Sequence, residues 1–172
     1  LSAKGADGNK LSLYLDEKVT AQLPLELDHP AVRVSVRRSR RGYLRISVSA
    51  PLSDFERGSG DRWRMRDQFS QLRPSGRRSI VFRNLYGEAA NDSALAVHRE
   101  LERRGSDLEL IWATRDNSVR VPPGARTVLE ESAEYYQALG TADYVMVNVH
   151  QPDWYRKPEG QILIETFHGY PF

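Results

Sequence analysis

The chain has 172 residues and no cysteine, which excludes a disulfide framework, a thiolate metal site and a cysteine nucleophile. Its four histidines, His29, His98, His150 and His168, show neither i, i+4 pairing nor H-E-x-x-H spacing, so no zinc motif is present and neither a metal nor a cofactor is expected. No window approaches about 18 consecutive apolar residues, and the opening LSAKGADGNK lacks the basic and apolar regions of a signal peptide. Any membrane contact is therefore expected to be peripheral. There is no G-x-G-x-x-G, since RNLYGEAAND carries a single glycine, no G-x-x-x-x-G-K-[ST] and no G-x-S-x-G. Dinucleotide binding, a P-loop and a serine nucleophile elbow all lose their support.

What is present is a hydrophobic content of 40%, enough for one or two small domains, and a charge divided unevenly along the chain. Residues 31–83 hold 14 Arg and no Lys against four acids, a local +10, while the formal net charge of the whole is only +2. A segment of this kind suits a polyanion or an anionic membrane surface, and it also suits a plain solvated face. Arginine in place of lysine adds bidentate geometry toward phosphate.

The first part reads as short strands. KLSLYL (10–15), AQLPLEL (21–27), VRVSVRR (32–38) and YLRISVSA (43–50) alternate apolar and polar positions, with turn signals DGN, DHP and SRRG between them. The pattern predicts an antiparallel β module over 1–52, with Val32, Val34 and Val36 on one face and an arginine stripe on the solvated one. Arg37, Arg38, Arg40 and Arg41 are its candidate contacts to polyanion or membrane. Residues 53–77 are polar, basic and punctuated by Gly and Ser, and read as a linker with one short helix around 65–72.

From residue 78 the texture changes. Strands are expected at SIVFRNL (79–85), LELIWAT (108–114), ARTVLEE (125–131), DYVMVNV (143–149) and QILIET (161–166). Helices are expected at NDSALAVHRELERRG (91–105) and, opened by Ser132, SAEYYQALGTA (132–142). Strands alternating with helices predict an α/β fold, a Rossmann-like parallel sheet over 78–172 preceded by the small antiparallel β module. Of Tyr135 and Tyr136, one ring is expected to pack on the sheet and the other to stay half exposed. His98 is expected to face solvent and His29 to sit in a turn. The loop PDWYRKPEG (152–160) either lines a site on the ligand edge or is a surface loop pinned by Trp154.

Ligands of open parallel sheets bind beyond the carboxyl ends of the strands. That rule selects Asn84, Asn148, His150, and His168 with Gly169. A histidine just past a buried strand, followed by a glycine that lets a ligand approach the backbone, is placed for general-base chemistry; a hydrogen-bonded loop histidine is the other reading of the same spacing.

The runs RNLYGEAANDSALAVHREL, LELIWATRDN and VPPGARTVLEESAEYYQALGTADYVMVNVHQPDWYRKPEGQILIETFHGYPF resemble the acceptor-side domain of the CDP-glycerol glycerophosphotransferases, the teichoic acid polymerases. The family's T-W-H-G-T-P-L-K stretch corresponds to Thr166, Phe167, His168, Gly169, Tyr170, Pro171 and Phe172, with Phe167 for Trp and Tyr170 for Thr as departures. Asn91 and Asp92 match the family's D-N-P region loosely, with the order changed and Ser93 in place of Pro. The resemblance implies the N-terminal half of a GT-B fold. It implies transfer of glycerol phosphate, or a related polyol phosphate, from a CDP-activated donor such as CDP-glycerol to a teichoic-acid-like or capsular polymer at the inner face of the cell membrane. On that comparison His168 is the general base, and Gly169, Asn148 and Asn91 face the acceptor. The donor-binding domain is then missing and the chain is expected to be inactive alone. Two other readings remain: a non-catalytic polyanion-binding module, and a GT-B glycosyltransferase using a nucleotide sugar. Nucleic acid is not an expected partner, because the arginines lack the interleaved exposed aromatics of a base-stacking platform.

Overall fold

The structure, a computed structural model, describes residues 3–4, 10–11, 16–40 and 43–167. The chain divides into two compact units, Leu1–Pro51 and Leu52–Phe172.

In the first unit β1 (Ala3–Lys4) pairs with β2 (Lys10–Leu11), and a separate antiparallel sheet has the order β3 (Leu25–Asp28), β4 (Arg33–Arg38), β5 (Leu44–Ser49). Only the start of the expected 10–15 strand is described. The strand expected over 21–27 begins later, because Pro24 has no N–H to donate to a ladder and residues up to Ala21 form the short helix α1 (Glu17–Ala21), capped by the Asp16 side chain. His29 does sit in the β3–β4 turn, where its Nδ1 accepts from the Ala31 N–H at 3.1 Å. Register places Leu25, Val36 and Ile46 side by side, and Leu27, Val34 and Val48 likewise, so one face is apolar. The opposite face carries Arg33, Arg37 and Arg45, together with acids from β3: Glu26 accepts from both Arg33 and Arg37, and Asp28 pairs with Arg33. Hydrogen bonding from Arg37, more than the nearby Arg33 charge, holds the Glu26 carboxyl below its ordinary range. The arginine stripe is therefore partly neutralised. Arg38 and Arg40 are exposed, and Arg41 lies outside the described residues.

The second unit is built on five parallel strands, β6 (Ser79–Arg83), β7 (Glu109–Thr114), β8 (Arg126–Leu129), β9 (Tyr144–Val147) and β10 (Ile162–Glu165). Their spatial order is β10-β9-β6-β7-β8, the doubly wound arrangement, with the chain reversing direction across the sheet between β6 and β9. All five residues of the central strand β6 are buried. Alternation sends Ile80 and Phe82 to one face, where Trp112, Met146 and Ala94 of α4 (Asp92–Arg103) complete a cluster. Val81 points to the other, against Ile111, Val145 and the helix α5 (Ala133–Thr141).

His98 is buried, not solvent-facing. Its position on α4 falls on the stripe that meets the sheet, and its Nδ1 accepts from Trp112 Nε1 at 3.2 Å while its ring sits edge-on to Phe82. Both Tyr135 and Tyr136 are buried, and a second helix covers Tyr136 from outside. That helix is α3 (Ser59–Ser70), longer than the short helix expected around 65–72 of a linker and starting earlier; with α2 (Asp54–Arg57) it belongs to the second unit. Its contacts are unlike those of an amphipathic helix. Apart from buried Met65, it is held by Phe69 stacked on Tyr136 (6.3 Å), Arg66 over the Trp154 ring (4.9 Å), and Arg62 and Arg66 on Glu131. At Gly140 of α5 a Cβ would stand 2.9 Å from the Phe69 carbonyl oxygen, so the two helices approach as closely as only glycine allows.

Glu56 joins these pieces. It completes a capping box with Ser53, and its Oε1 accepts from the Ala133 N–H at 2.9 Å at the start of α5. Desolvation is the largest single influence on this carboxyl and pushes upward, but the hydrogen bonds from Ala133 and Ser53 together hold it below the ordinary value of 4.5.

Candidate functional site

The two strands flanking the reversal, β6 and β9, are each followed directly by an asparagine. Asn84 is 0% exposed and Asn148 1%, and their loops leave in opposite directions, which is where a doubly wound sheet opens a crevice for a ligand. Asn148 Oδ1 accepts from the Leu85 N–H at 2.9 Å, tying the end of β9 to the loop after β6. Asn148 Nδ2 donates to Asp92 at 3.4 Å, and Asn84 Nδ2 donates to Asn91 Oδ1 at 2.5 Å. The result has two tiers: a buried floor of Asn84 and Asn148, and an exposed rim of Asn91 and Asp92 at the start of α4.

Backbone strain collects on the same edge. Among the described residues six non-glycine positions have positive φ, and five of them, Leu85, Tyr86, Asp92, Glu131 and Phe167, follow the carboxyl ends of β6, β8 or β10. Such conformations persist where surrounding structure enforces them, and they cluster at functional sites. Gly87 (φ +72) is confined as well, since a Cβ there would lie 2.7 Å from the Arg115 backbone nitrogen.

Next to the asparagines lies a buried ion pair. Arg83, at the end of β6, donates through Nε to Glu130 Oε1 at 2.6 Å and through Nη1 to the His150 carbonyl at 3.4 Å, and its guanidinium stands 5.4 Å from the Tyr86 ring centre. One side chain thereby joins the loops after β6, β8 and β9. In the sequence Arg83 stands out only as the last arginine of the basic segment. An arginine closing a continuously apolar strand is the signal that was available, because a buried charge needs a partner.

Of the residues selected from sequence, the structure brings Asn84, Asn91 and Asn148 together. His150 is not gathered in: its side chain is 89% exposed, Nδ1 is 4.0 Å from Glu165, and only its carbonyl takes part. His168 and Gly169 lie outside the described residues. The chain approaching them is anchored at this edge, since the Thr166 N–H donates to the Val147 carbonyl, one residue before Asn148, at 2.9 Å. The 152–160 loop takes no part in the crevice. It spans the return from the end of β9 to the start of β10 across the α5 face, with Trp154 packed on Tyr136 at 5.4 Å. Together with Phe69 and Leu139 it borders a shallow slot on that face, where burial pushes the Tyr155 hydroxyl up to about 12.

A doubly wound α/β domain with a polar, strained crevice at its topological reversal is the class this unit defines. Comparison with known proteins gives it a family. Residues 66–172 match the model described as CDP-Glycerol:Poly(glycerophosphate) glycerophosphotransferase, and the chain belongs to that family. The match starts within α3, ahead of the residues that carried the resemblance in the sequence. A teichoic acid poly(glycerol phosphate) polymerase from Staphylococcus epidermidis is 33% identical over 95 residues, which is 55% of this chain and 13% of that protein. Solved structures of the wall teichoic acid polymerase TagF superpose with a TM-score of 0.58. A variant soaked with CDPG is 26% identical and covers 64% of this chain and 29% of that one; a histidine-to-alanine variant is 27% identical and covers 65% and 28%. The chain thus spans less than a third of the length of these relatives.

Proposed function

We propose that this chain forms the acceptor side of a GT-B transferase that moves glycerol phosphate from CDP-glycerol onto a teichoic-acid-like polymer. The observation that carries the reading is the asparagine crevice at the β6–β9 reversal, in a chain of this family, immediately before the Thr166 to Pro171 stretch. In this reading an acceptor hydroxyl lies over Asn91 and Asn148, with Gly169 allowing close approach. The His168 imidazole removes its proton, and the oxygen forms a bond to the phosphorus that bears glycerol. The phosphoanhydride bond breaks and CMP leaves with its electron pair. In the same reading the donor's remaining contacts are made outside this chain, which covers 29% of the relative soaked with CDPG.

No helix of the described residues is long and apolar enough to cross a membrane. Peripheral attachment at the inner membrane face, through Arg37, Arg38, Arg40 and Arg41 against anionic lipid or polymer, belongs to the same proposal. Reversing the charge of all four should weaken liposome and polymer binding, and unchanged binding would remove that role.

The test of the main reading is incorporation of labelled glycerol phosphate from CDP-glycerol into a membrane-anchored acceptor by the polypeptide that carries this chain, wild type against His168→Ala. A rate loss on the order of 10² or more is expected for a general base. Near wild-type turnover in the variant would take His168 out of the mechanism. Wild-type turnover with CDP-ribitol or a nucleotide sugar, and none with CDP-glycerol, would change the substrate.

A further inference from the structure

The side chains of Arg83 and Glu130 are only 6% and 16% exposed, and their ion pair spans the sheet sideways. Register places Ala113 of β7 beside Arg83 and Val128 beside Ala113, and Ala113 lies on the same face as Val81. A one-carbon side chain there leaves the guanidinium room to cross β7 and reach the residue after β8. Folding stability is a poor reason for such a pair. Taking two charges out of water is costly, and apolar residues of similar volume often serve as well or better. What the pair touches is more telling. The turn after β6 has positive φ at three consecutive residues, Leu85 (+46), Tyr86 (+55) and Gly87 (+72), and two of them are not glycine. A left-handed run costs energy, and each residue of this one has a contact of its own that restrains it. The Leu85 N–H donates to Asn148 Oδ1 at 2.9 Å, the Tyr86 ring lies 5.4 Å from the Arg83 guanidinium, and a Cβ on Gly87 would stand 3.0 Å from the Glu130 carboxylate. Two of these three contacts are made by the ion pair. On its other side Arg83 Nη1 donates at 3.4 Å to the carbonyl of His150, two residues past Asn148.

The pair is thus set between the turn after β6 and the loop after β9, the two segments that leave the reversal in opposite directions. We propose that Arg83 and Glu130 are positioning residues for transfer: without touching a substrate, they fix the spacing of these two segments and so of the residues that stand on them. The pair then serves rate, and neither stability nor affinity. A step that brings a hydroxyl onto phosphorus gains from such prior ordering, because a displacement of about 1 Å can cost about 10² in rate. Arginine suits the task, since one planar fork addresses a carboxylate, a carbonyl and an aromatic face together, which a lysine ammonium does not. The reaction served rests on the acceptor-side reading; the ordering of the two segments does not depend on it.

The test compares the polypeptide that carries this chain, wild type, with its double variant Arg83→Met, Glu130→Leu. Three quantities are read: the denaturant midpoint, peptide hydrogen exchange by mass spectrometry, and kcat and KM for transfer of labelled glycerol phosphate from CDP-glycerol to a membrane-anchored acceptor. With both charges gone no carboxylate is stranded, so the midpoint should match or exceed the wild type. Exchange should be about tenfold faster over residues 84–91 and 148–152 and unchanged over 79–83. The kcat should fall about tenfold or more while the acceptor KM stays within about twofold. A merely structural pair predicts the reverse, a lowered midpoint with unaltered exchange and kcat in the folded protein. If the double variant does not fold, Arg83→Lys, which keeps the charge beside Glu130 but not the fork, is read by the same three measurements. Wild-type exchange in both segments, wild-type kcat, or a raised KM with kcat unchanged would each overturn the positioning role. No transfer by the wild type refutes the transferase reading alone, and exchange then decides the ordering. Transfer by the wild type, with exchange and kcat unaltered in the variant, refutes the role of the pair alone.

Discussion

Strands β4 (RVSVRR) and β6 (SIVFR) are alike in length and both end in arginine, yet no residue of β4 is buried and every residue of β6 is. The difference lies in what covers them. The apolar face of the β3–β5 sheet leaves Leu27 61% and Val48 67% exposed, and its arginines share surface carboxylates. β6 has strands on both sides and a cluster of side chains on each face, so its arginine is kept only by Glu130, a carbonyl and an aromatic ring. The same residue type is a solvated charge in one strand and a fixed structural element beside the crevice in the other.

Substitutions can break or sharpen this contrast. The largest effect should come from Trp112→Ala, which empties the α4 face and leaves His98 without its donor; a loss of roughly 3–5 kcal/mol in denaturant unfolding is expected for a large buried aromatic. Val48→Ala on the open sheet should leave the unfolding midpoint almost where it was. Arg83→Leu strands the Glu130 carboxylate and should also cost about 3–5 kcal/mol by the same measurement. Its surface counterpart, Arg37→Ala, should give no resolvable change. Gly140→Val forces α5 off the Phe69 carbonyl and should cost about 1–3 kcal/mol. A smaller effect than these losses concerns pH. Glu56 has a folded-state pKa below its ordinary value, so its contribution is present above about pH 4.5 and is lost as pH falls through the lower folded value. Thermal midpoints from about pH 6 to pH 3 should therefore fall less steeply for Glu56→Gln than for the wild type.

How legible each part was from sequence follows the same physics. The parallel sheet declared itself because continuous apolar runs such as SIVF and YVMV must be covered on both faces, and the helices between them carry apolar stripes. Helix α3 showed only as a short helix around 65–72, and its packing not at all, because its attachment is made by Arg62, Arg66 and Phe69 finding Glu131, Trp154 and Tyr136, partners 65 to 88 residues distant that no local period announces. The S-x-x-E of Ser53 to Glu56 was a readable start signal for the helical segment. His98 misled because its neighbour Arg99 is exposed, whereas its spacing from Ala94 and Leu101 already placed it on the buried stripe. Asn84 and Asn148 were legible as strand ends. That they share one crevice depends on the β10-β9-β6-β7-β8 order, which strand spacing alone does not set.

The Trp112–His98 hydrogen bond makes α4 an optical reporter of its own crevice. The indole of Trp112 is 0% exposed and rests on the middle of the helix whose first residue forms the rim. Trp63 is 67% exposed and lies on a different helix. Long-wavelength emission from Trp63 can be quenched by soluble iodide while the component from Trp112 and half-buried Trp154 survives. Movement of α4 therefore becomes a change in intrinsic fluorescence, with no label added.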